Sequence, residues 1–459
     1  MEIVAYRAVI RSVKLLNVAL MTALAVCVWC LFYAGGIWSQ TGLLIGVIFC
    51  VLYMTYGRIY ESFLISLVRI TEMIYSQALA LLMSDGILYC ILSLMERRLV
   101  HVVPVLGLFC TQLLVSIFWC YNAHQWYFKA FPPKTTAVIH DRGRDVGDLI
   151  GAYGLAKKFD VQRTVTIEEC LSGNFRVLDG MQTVFLCGIS SHDRNLILKQ
   201  CVERGIVVYV LPKIGDIIMS GAKQMHLFHL PFLRVGRYDP APEYLLMKRV
   251  LDILVSACAL VVLSPLMLTV AFLIRRDGGP AFYRQKRLTK DGRVFEVLKF
   301  RSMCIDAEKD GVARLSTGVG DPRITPIGHF IRRVRIDELP QLINILKGEM
   351  TIVGPRPERP EIAAQYEKEL PEFSLRLQAK AGLTGYAQVY GKYNTSPYDK
   401  LQMDLMYIAN PTILEDLRIV LATVKILFMP ESTDGIAEGQ TTAAREEKEE
   451  DLVGAGKPG

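Results

Sequence analysis

The chain has 459 residues, 52% of them hydrophobic and 21% charged, with 52 Lys and Arg against 45 Asp and Glu and a net charge of +7. A mean hydropathy of +0.30 excludes an ordinary water-soluble protein and points to a membrane protein with sizeable soluble parts. The modest positive balance suits anionic lipid surfaces or phosphorylated substrates and does not by itself imply nucleic acid.

Four apolar stretches occupy the N-terminal quarter: 15–34, 42–56, 73–95 and 100–120. Each is near the ~20 residues that a bilayer-crossing helix needs, the second being short. Asp85 interrupts the third, and an acid at that depth is either a functional group or a neutral or helix-paired one. Arg7, Arg11 and Lys14 precede the first stretch, Arg58 and Arg69 separate the second from the third, and the loop GGIWSQT carries no charge. The positive-inside rule then puts the N-terminus and the second loop in the cytoplasm, while Arg97 and Arg98 in the third loop run against that topology. About half of the 11 cysteines lie in these stretches, where cysteine acts as a small hydrophobe. Cys27 and Cys30 have CxxC spacing but no second pair. The odd, scattered set suits a reducing compartment rather than a disulfide framework, and no cleavable signal peptide is evident.

From 121 to 240 short β-type runs alternate with helical ones: TTAVIH and VGDLIGAYGLAKKF, then TVFLCG, DRNLILKQCVERG and IVVYVLP. Such alternation predicts a βαβ sheet. The first turn, AVIHDRGRDVGDL, lacks GxGxxG, so no dinucleotide site is inferred. Residues 248–276 form an apolar run with Lys248 and Arg249 at one end, Arg275 and Arg276 at the other, and Ser264–Pro265 inside it. Two basic flanks want both ends in the cytoplasm. Proline removes a helical hydrogen bond and kinks the helix, and the Ser264 hydroxyl can cap the freed backbone. A re-entrant hairpin satisfies both features, and a fifth span is the alternative. Residues 275–301 carry nine Lys or Arg against three Asp or Glu, and the last 28 residues are polar and aperiodic, as in a disordered tail.

The stretch IDELPQLINIL sets Asp337 beside Glu338. Locally it reads as a helix start, with Asp337 as N-cap and Glu338 and Pro340 in the first turn. Adjacent carboxylates on a helix point about 100° apart and suit two different tasks, nucleophile and base or nucleophile and metal ligand. Around them in sequence stand Arg332, Lys299 and Arg301 in KFRSM, and Arg356 held between prolines in GPRP. Fixed guanidinium groups bind phosphate oxygens bidentately. A carboxylate amid such cations, with Mg2+, is what phosphoryl transfer needs.

The blocks KRVLDILVSACALVVLSPLMLTV, PAFYRQKRL, VLKFRSM, DPRITPIGHFIRRVRIDELPQLINILKGEMTIVGPRPE, AGLTGYAQVYGK and YDKLQMDLMYI, in this order between Lys248 and about Phe428, resemble the bacterial sugar transferase family, the monotopic polyprenol-phosphate phosphoglycosyl transferases. The four N-terminal spans and the α/β module are similar to its long form. The resemblance implies an α-helical transmembrane bundle over 1–122 and an α/β Rossmann-like cytoplasmic module over 123–240. It further implies a mainly α monotopic catalytic domain over 246–430, with a re-entrant membrane helix over 248–276, and a disordered tail over 431–459.

It also implies a two-step reaction that starts exopolysaccharide, capsule or O-antigen synthesis. Asp337 attacks a UDP-sugar, with glucose or galactose as the sugar, and UMP leaves. Undecaprenyl phosphate then takes the sugar phosphate from the aspartyl intermediate. Glu338 serves as metal ligand or as base, Mg2+ sits by Asp337 and Glu338, and Lys299, Arg301, Arg332 and Arg356 hold phosphates or nucleotide. Ser264 and Pro265 match the helix-breaking pair of the family, which places the site at the cytoplasmic face of the inner membrane, and the likeness to the long form implies a homodimer. His329 and Arg335 depart from the family pattern, and neither is expected to touch the acid pair. A glycosyltransferase that releases UDP, and a membrane scaffold with an inactive domain, are the competing readings.

Overall fold

The computed structural model describes residues 2–33, 40–141, 150–151, 154–238, 240–276, 278–304, 323–391 and 395–427. The expected tail over 431–459 and most of the first turn of the α/β module lie outside them. The chain divides into two compact units, Met1–Pro212 and Lys213–Gly459.

Helices α1 (Glu2–Phe32), α2 (Gln40–Ile59), α3 (Ile70–Met95) and α4 (Val103–Ala130) open the first unit. Each packs on the next, and α4 returns to α1. All four are long and apolar enough to cross a membrane. Leu15, Leu43, Leu114 and Phe118 are exposed on the outside, and the polar groups turn inward, as a hydrocarbon solvent demands. The Tyr53 hydroxyl donates to Asn17 Oδ1 at 2.9 Å, Ser116 Oγ to Gln77 Oε1 at 2.6 Å, and Gln77 Nε2 to the Ser62 carbonyl at 3.3 Å. Asp85 is buried in α3, and among the described residues neither of its carboxylate oxygens meets a donor, so of the alternatives the helix-paired one is not found. None of the 11 cysteines is in a disulfide.

The same unit holds a parallel four-stranded sheet of β1 (Lys134–His140), β2 (Phe159–Thr166), β3 (Thr183–Cys187) and β4 (Val207–Val210), ordered β2-β1-β3-β4. Helices α5 (Ile167–Ser172) and α6 (Ser191–Glu203) accompany it. Ala137, Ile139, Val184, Leu186, Ile197 and Cys201 form its core. A capping box starts α5, with Thr166 and Glu169 each bonding the other's backbone N–H. The strands TTAVIH, TVFLCG and IVVYVLP and the helix DRNLILKQCVERG are therefore present. Strand β2 was not foreseen: it is an edge strand of mostly exposed residues, anchored by the buried Phe159 and lacking the apolar run that would announce it.

The second unit contains α7 (Ile214–Ser220), the hairpin β5 (Lys223–Leu227) and β6 (Leu230–Arg234), and α8 (Pro242–Arg275). The hairpin β7 (Phe282–Leu288) and β8 (Val294–Phe300) follows, then α9 (Pro326–Arg333), α10 (Gln341–Lys347), β9 (Thr351–Val353), α11 (Pro360–Glu369), β10 (Gly382–Thr384), α12 (Tyr386–Tyr390), α13 (Pro397–Ala409) and α14 (Ile413–Leu427). The sequence reading ended the α/β module at 240, whereas the compact unit that holds it ends at Pro212, and Ile217 of α7 sits in the core of the second unit with Val353, Tyr366 and Leu405.

Helix α8 is the fifth helix long and apolar enough to cross a membrane, and it stays helical through Pro265. Ser264 Oγ donates at 2.7 Å to the Val261 carbonyl, the group that proline at i+4 leaves without its backbone donor. Both ends of α8 are tied to the same body. At the start, Lys248 Nζ meets Asp416 Oδ2 at 2.7 Å, Arg249 donates to the Ile345 and Leu346 carbonyls, and Asp252 accepts from Thr351 Oγ1 and the Ile352 N–H. At the end, Val270 and Ile274 pack with Phe300 and Ile331. Between them Val261, Val262 and Leu268 are exposed.

Candidate functional site

The acid pair lies between α9 and α10. Helix α9 ends at Arg333, and Arg335 then takes a left-handed conformation with φ of 53°, which reverses the chain into a 3-10 turn over Ile336–Glu338. Helix α10 begins only at Gln341, after Pro340. Asp337 is therefore the middle residue of a tight turn and not the expected helix N-cap. Its side chain caps no backbone N–H, because Leu339 and Pro340 carry on the helical path and proline has no N–H to offer.

Glu338 is gripped from two sides. Lys299 Nζ on β8 lies 3.0 Å from its Oε1, and Arg356 Nη2, on the loop after β9, lies 3.2 Å from the same oxygen. Lys299 and Glu338 keep only 20% and 13% of their side-chain surface, so water screens this contact weakly. Burial alone would raise the Glu338 pKa, but Lys299 and Arg356 outweigh it and hold the carboxyl well below the usual range. Burial lowers the Lys299 pKa, and the charge on Glu338 partly restores it.

Asp337 is treated differently. Burial, then the charge on Glu338, push its carboxyl up to about 6, against the pull of Lys299, Arg332 and Arg356. Among the described residues no side chain donates to it. The pair thus comprises one carboxylate fixed by cations and one left open beside them.

The structure brings Asp337, Glu338, Lys299, Arg332 and Arg356 together. Arg301 is elsewhere: its Nε donates to the Pro280 carbonyl at 2.9 Å and its Nη2 to the Ile274 carbonyl at 3.3 Å, which holds the end of α8. Ser264 and Pro265 lie inside α8 and act on its backbone. Arg335, not expected to touch the acid pair, makes no hydrogen bond or ion pair with it among the described residues but adds to the positive field on Glu338.

Four residues near the site had no role in the sequence reading. Arg376 is ion-paired with Glu358 at 3.5 Å and with Asp404 at 2.6 Å. Arg287 donates to the Pro357 carbonyl at 3.1 Å. Arg376 and Asp404 keep 3% and 1% of their surface. The only local signal for them is a charge inside an apolar stretch, as in LQMDLMYI, where a charged residue is buried only with a partner.

Whether two carboxylates can hold Mg2+ turns on their donors. Among the described residues no group of three or more acidic, His or Cys side chains could form a metal cage. Magnesium keeps several waters and binds through one or two carboxylates plus substrate phosphates, so the open Asp337 with Glu338 beside it fits such an ion.

A family model described as bacterial sugar transferase matches residues 243–430. The chain is 37% identical over 235 residues to the UDP-N-acetylgalactosamine-undecaprenyl-phosphate N-acetylgalactosaminephosphotransferase of Aeromonas hydrophila, covering 50% of this chain and 54% of that protein. It is 39% identical over 202 residues to the UDP-glucose:undecaprenyl-phosphate glucose-1-phosphate transferase of Caulobacter vibrioides, covering 43% of this chain and 75% of the relative. With the undecaprenyl-phosphate galactose phosphotransferase of Salmonella typhimurium the identity is 37% over 195 residues, 40% of each chain. The chain thus spans about half the length of several curated relatives that it matches.

Proposed function

This chain belongs to the bacterial sugar transferase family, and on that premise we propose that it moves a hexose 1-phosphate from a UDP-sugar to undecaprenyl phosphate, with release of UMP. The observation that carries this reading is the unequal treatment of the two acids. Asp337 is the nucleophile: an oxygen of its carboxylate bonds to the β-phosphorus, and the bridging bond to UMP breaks, with the electron pair leaving on UMP. An oxygen of undecaprenyl phosphate then attacks the same phosphorus, and the aspartyl–phosphorus bond breaks to restore the carboxylate. Glu338, held anionic by Lys299 and Arg356, is a poor base and a good anchor, so its task is to order the two cations and to share the metal.

Arg332 and Arg356 face the phosphates and spread the charge that develops on them. Asp337 and Glu338 would hold Mg2+, which when bound neutralises diphosphate oxygens. The similar proteins act on N-acetylgalactosamine, glucose and galactose derivatives, so a UDP-hexose is the donor class, with glucose and galactose the first to test. The reaction is the first membrane step of a surface polysaccharide. It takes place at the cytoplasmic face of the inner membrane, with α8 re-entrant. What supports that topology is the attachment of both ends of α8 to one body and the basic residues at each flank.

The test is the identity of the released nucleotide. Full-length protein with UDP-glucose or UDP-galactose, Mg2+ and undecaprenyl phosphate is expected to form UMP, and Asp337→Asn to form none. Release of UDP would point to a glycosyltransferase without a covalent intermediate, and UMP release by Asp337→Asn would remove Asp337 as nucleophile.

A further inference from the structure

Arg356 stands between Pro355 and Pro357, so its loop has no N–H on either side with which to anchor itself. The loop is held by its carbonyls instead. Four in succession accept a hydrogen bond, from three separate parts of the second unit. The Gly382 N–H donates to Pro355 O at 2.9 Å, Arg376 Nη2 to Arg356 O at 2.9 Å, Arg287 Nη1 to Pro357 O at 3.1 Å, and the Leu288 N–H to Glu358 O at 3.0 Å. Two of the donors are arginine side chains. Arg376 is the more deeply buried, set 4.8 Å over the Phe373 ring, with Asp404 of α13 at 2.6 Å and Glu358 at 3.5 Å from its guanidinium.

A buried ion pair is a weak source of stability, since an apolar pair of the same shape often does as well. A device that places one backbone oxygen is a better account of a charged pair at this depth. Arg356 reaches Glu338 at 3.2 Å, and that contact depends on where its backbone sits. A shift of about 1 Å in a positioned charge can cost about 100-fold in rate.

We propose that Asp404 and Arg376 are positioning residues: Asp404 orients Arg376, Arg376 fixes the Arg356 carbonyl, and the loop thereby aims the Arg356 guanidinium at Glu338 and the substrate phosphates. The proposal rests on the transfer reaction assigned to Asp337. It gives the conformation of the PRPE loop a cause in α13, far along the chain.

Asp404→Asn removes the charge that orients Arg376 and keeps the shape. Arg376→Lys keeps a cation for Asp404 but cannot at once serve Asp404, Glu358 and the carbonyl. Both are expected to keep a Tm within a few degrees of wild type, to show faster hydrogen exchange at the amides that bond in and to the loop, those of Gly354, Gly382 and Leu288, and to lose about tenfold or more in kcat/KM for UMP release. Arg356→Ala added to Asp404→Asn is expected to cost no more than the larger single loss, because both act through one guanidinium. Losses that multiply, or unchanged exchange in the loop, would overturn the proposal, and so would a lysine variant with full activity. Should Asp404→Asn fail to fold, Arg376→Lys and its combination with Arg356→Ala carry the same test. Wild-type protein that forms no UMP from UDP-glucose or UDP-galactose would refute the assigned reaction, and the exchange measurement would then decide the clamp alone.

Discussion

Asp337 and Glu338 are chain neighbours with opposite surroundings, and Lys299 makes the difference. It is within 3.0 Å of Glu338, which keeps 13% of its surface. Replacing it with Met strips one cation from a nearly buried carboxylate. Removing one partner of such a pair leaves a costly residue behind, about 1–3 kcal/mol where a buried polar group goes unmet. Lys299→Met is therefore expected to lower Tm more than Lys299→Met with Glu338→Gln, and both to lose UMP release. Equal Tm values would mean that Glu338 does not depend on Lys299. The sequence made Lys299 and Arg301 look alike, since residues two apart share a strand face. Strand β8 ends at Phe300, however, so Arg301 lies past the pleat and turns to the Ile274 and Pro280 carbonyls. Arg335 makes no hydrogen bond or ion pair with either acid among the described residues and acts on Glu338 only through its field, and no pattern of residue types announces its left-handed backbone.

The short parallel pair β9 and β10 carries the PRPE loop, and glycine makes it possible. A Cβ on Gly382 would lie 2.1 Å from the Gly354 nitrogen, and one on Gly354 would lie 2.3 Å from the Lys380 carbonyl oxygen. Backbone against backbone cannot yield as a side-chain tip can. Gly382→Ala is expected to spread the pair, lower Tm by several degrees and abolish UMP release, whereas Gly236→Ala, which meets nothing within 4 Å, is expected to leave both near wild type. A stable, active Gly382→Ala would show that the loop does not depend on this approach.

Glu358 gives the same region an acid limit. Burial raises its pKa, but Lys400, Arg376 and Arg287 more than offset this and hold it below the ordinary value, near 4.3 in an unfolded chain. Its stabilisation is thus complete above about pH 4.3 and is lost as pH falls through the lower folded value. Glu358→Gln is expected to melt earlier at neutral pH and to lose less on acidification than wild type. Parallel melting curves from about pH 6 down to pH 3 would contradict this. The GPRP motif announced a stiff turn, but the long-range partners Arg376 and Asp404 that hold it could not be read, because contacts across three elements leave no local spacing.

Across the whole chain, the apolar runs were legible because about 20 apolar residues have one economical use. The α/β region was legible because its inner strands are apolar, while β2 was not, because an edge strand has no such need. The path of α8 through the bilayer is harder to read, since composition suits a span and a hairpin equally. Helix geometry sharpens the choice. A straight helix of 34 residues is roughly 50 Å long at 1.5 Å per residue, well beyond a hydrocarbon core of about 30 Å. A spanning α8 would set Lys248 and Ile274 on opposite sides of that core. Yet Lys248 is bound to Asp416, and Ile274 packs with Phe300 and Ile331, all in one compact unit. A polar body cannot follow the helix through lipid, so both ends are expected on one side, with Val261, Val262 and Leu268 dipped into the bilayer. Single cysteines at Leu246 and Arg276, both exposed, test this in a chain freed of its exposed native cysteines. In spheroplasts a membrane-impermeant maleimide is expected to label neither site, and to label both once the membrane is opened. Labelling of one site alone in closed spheroplasts would make α8 a fifth span.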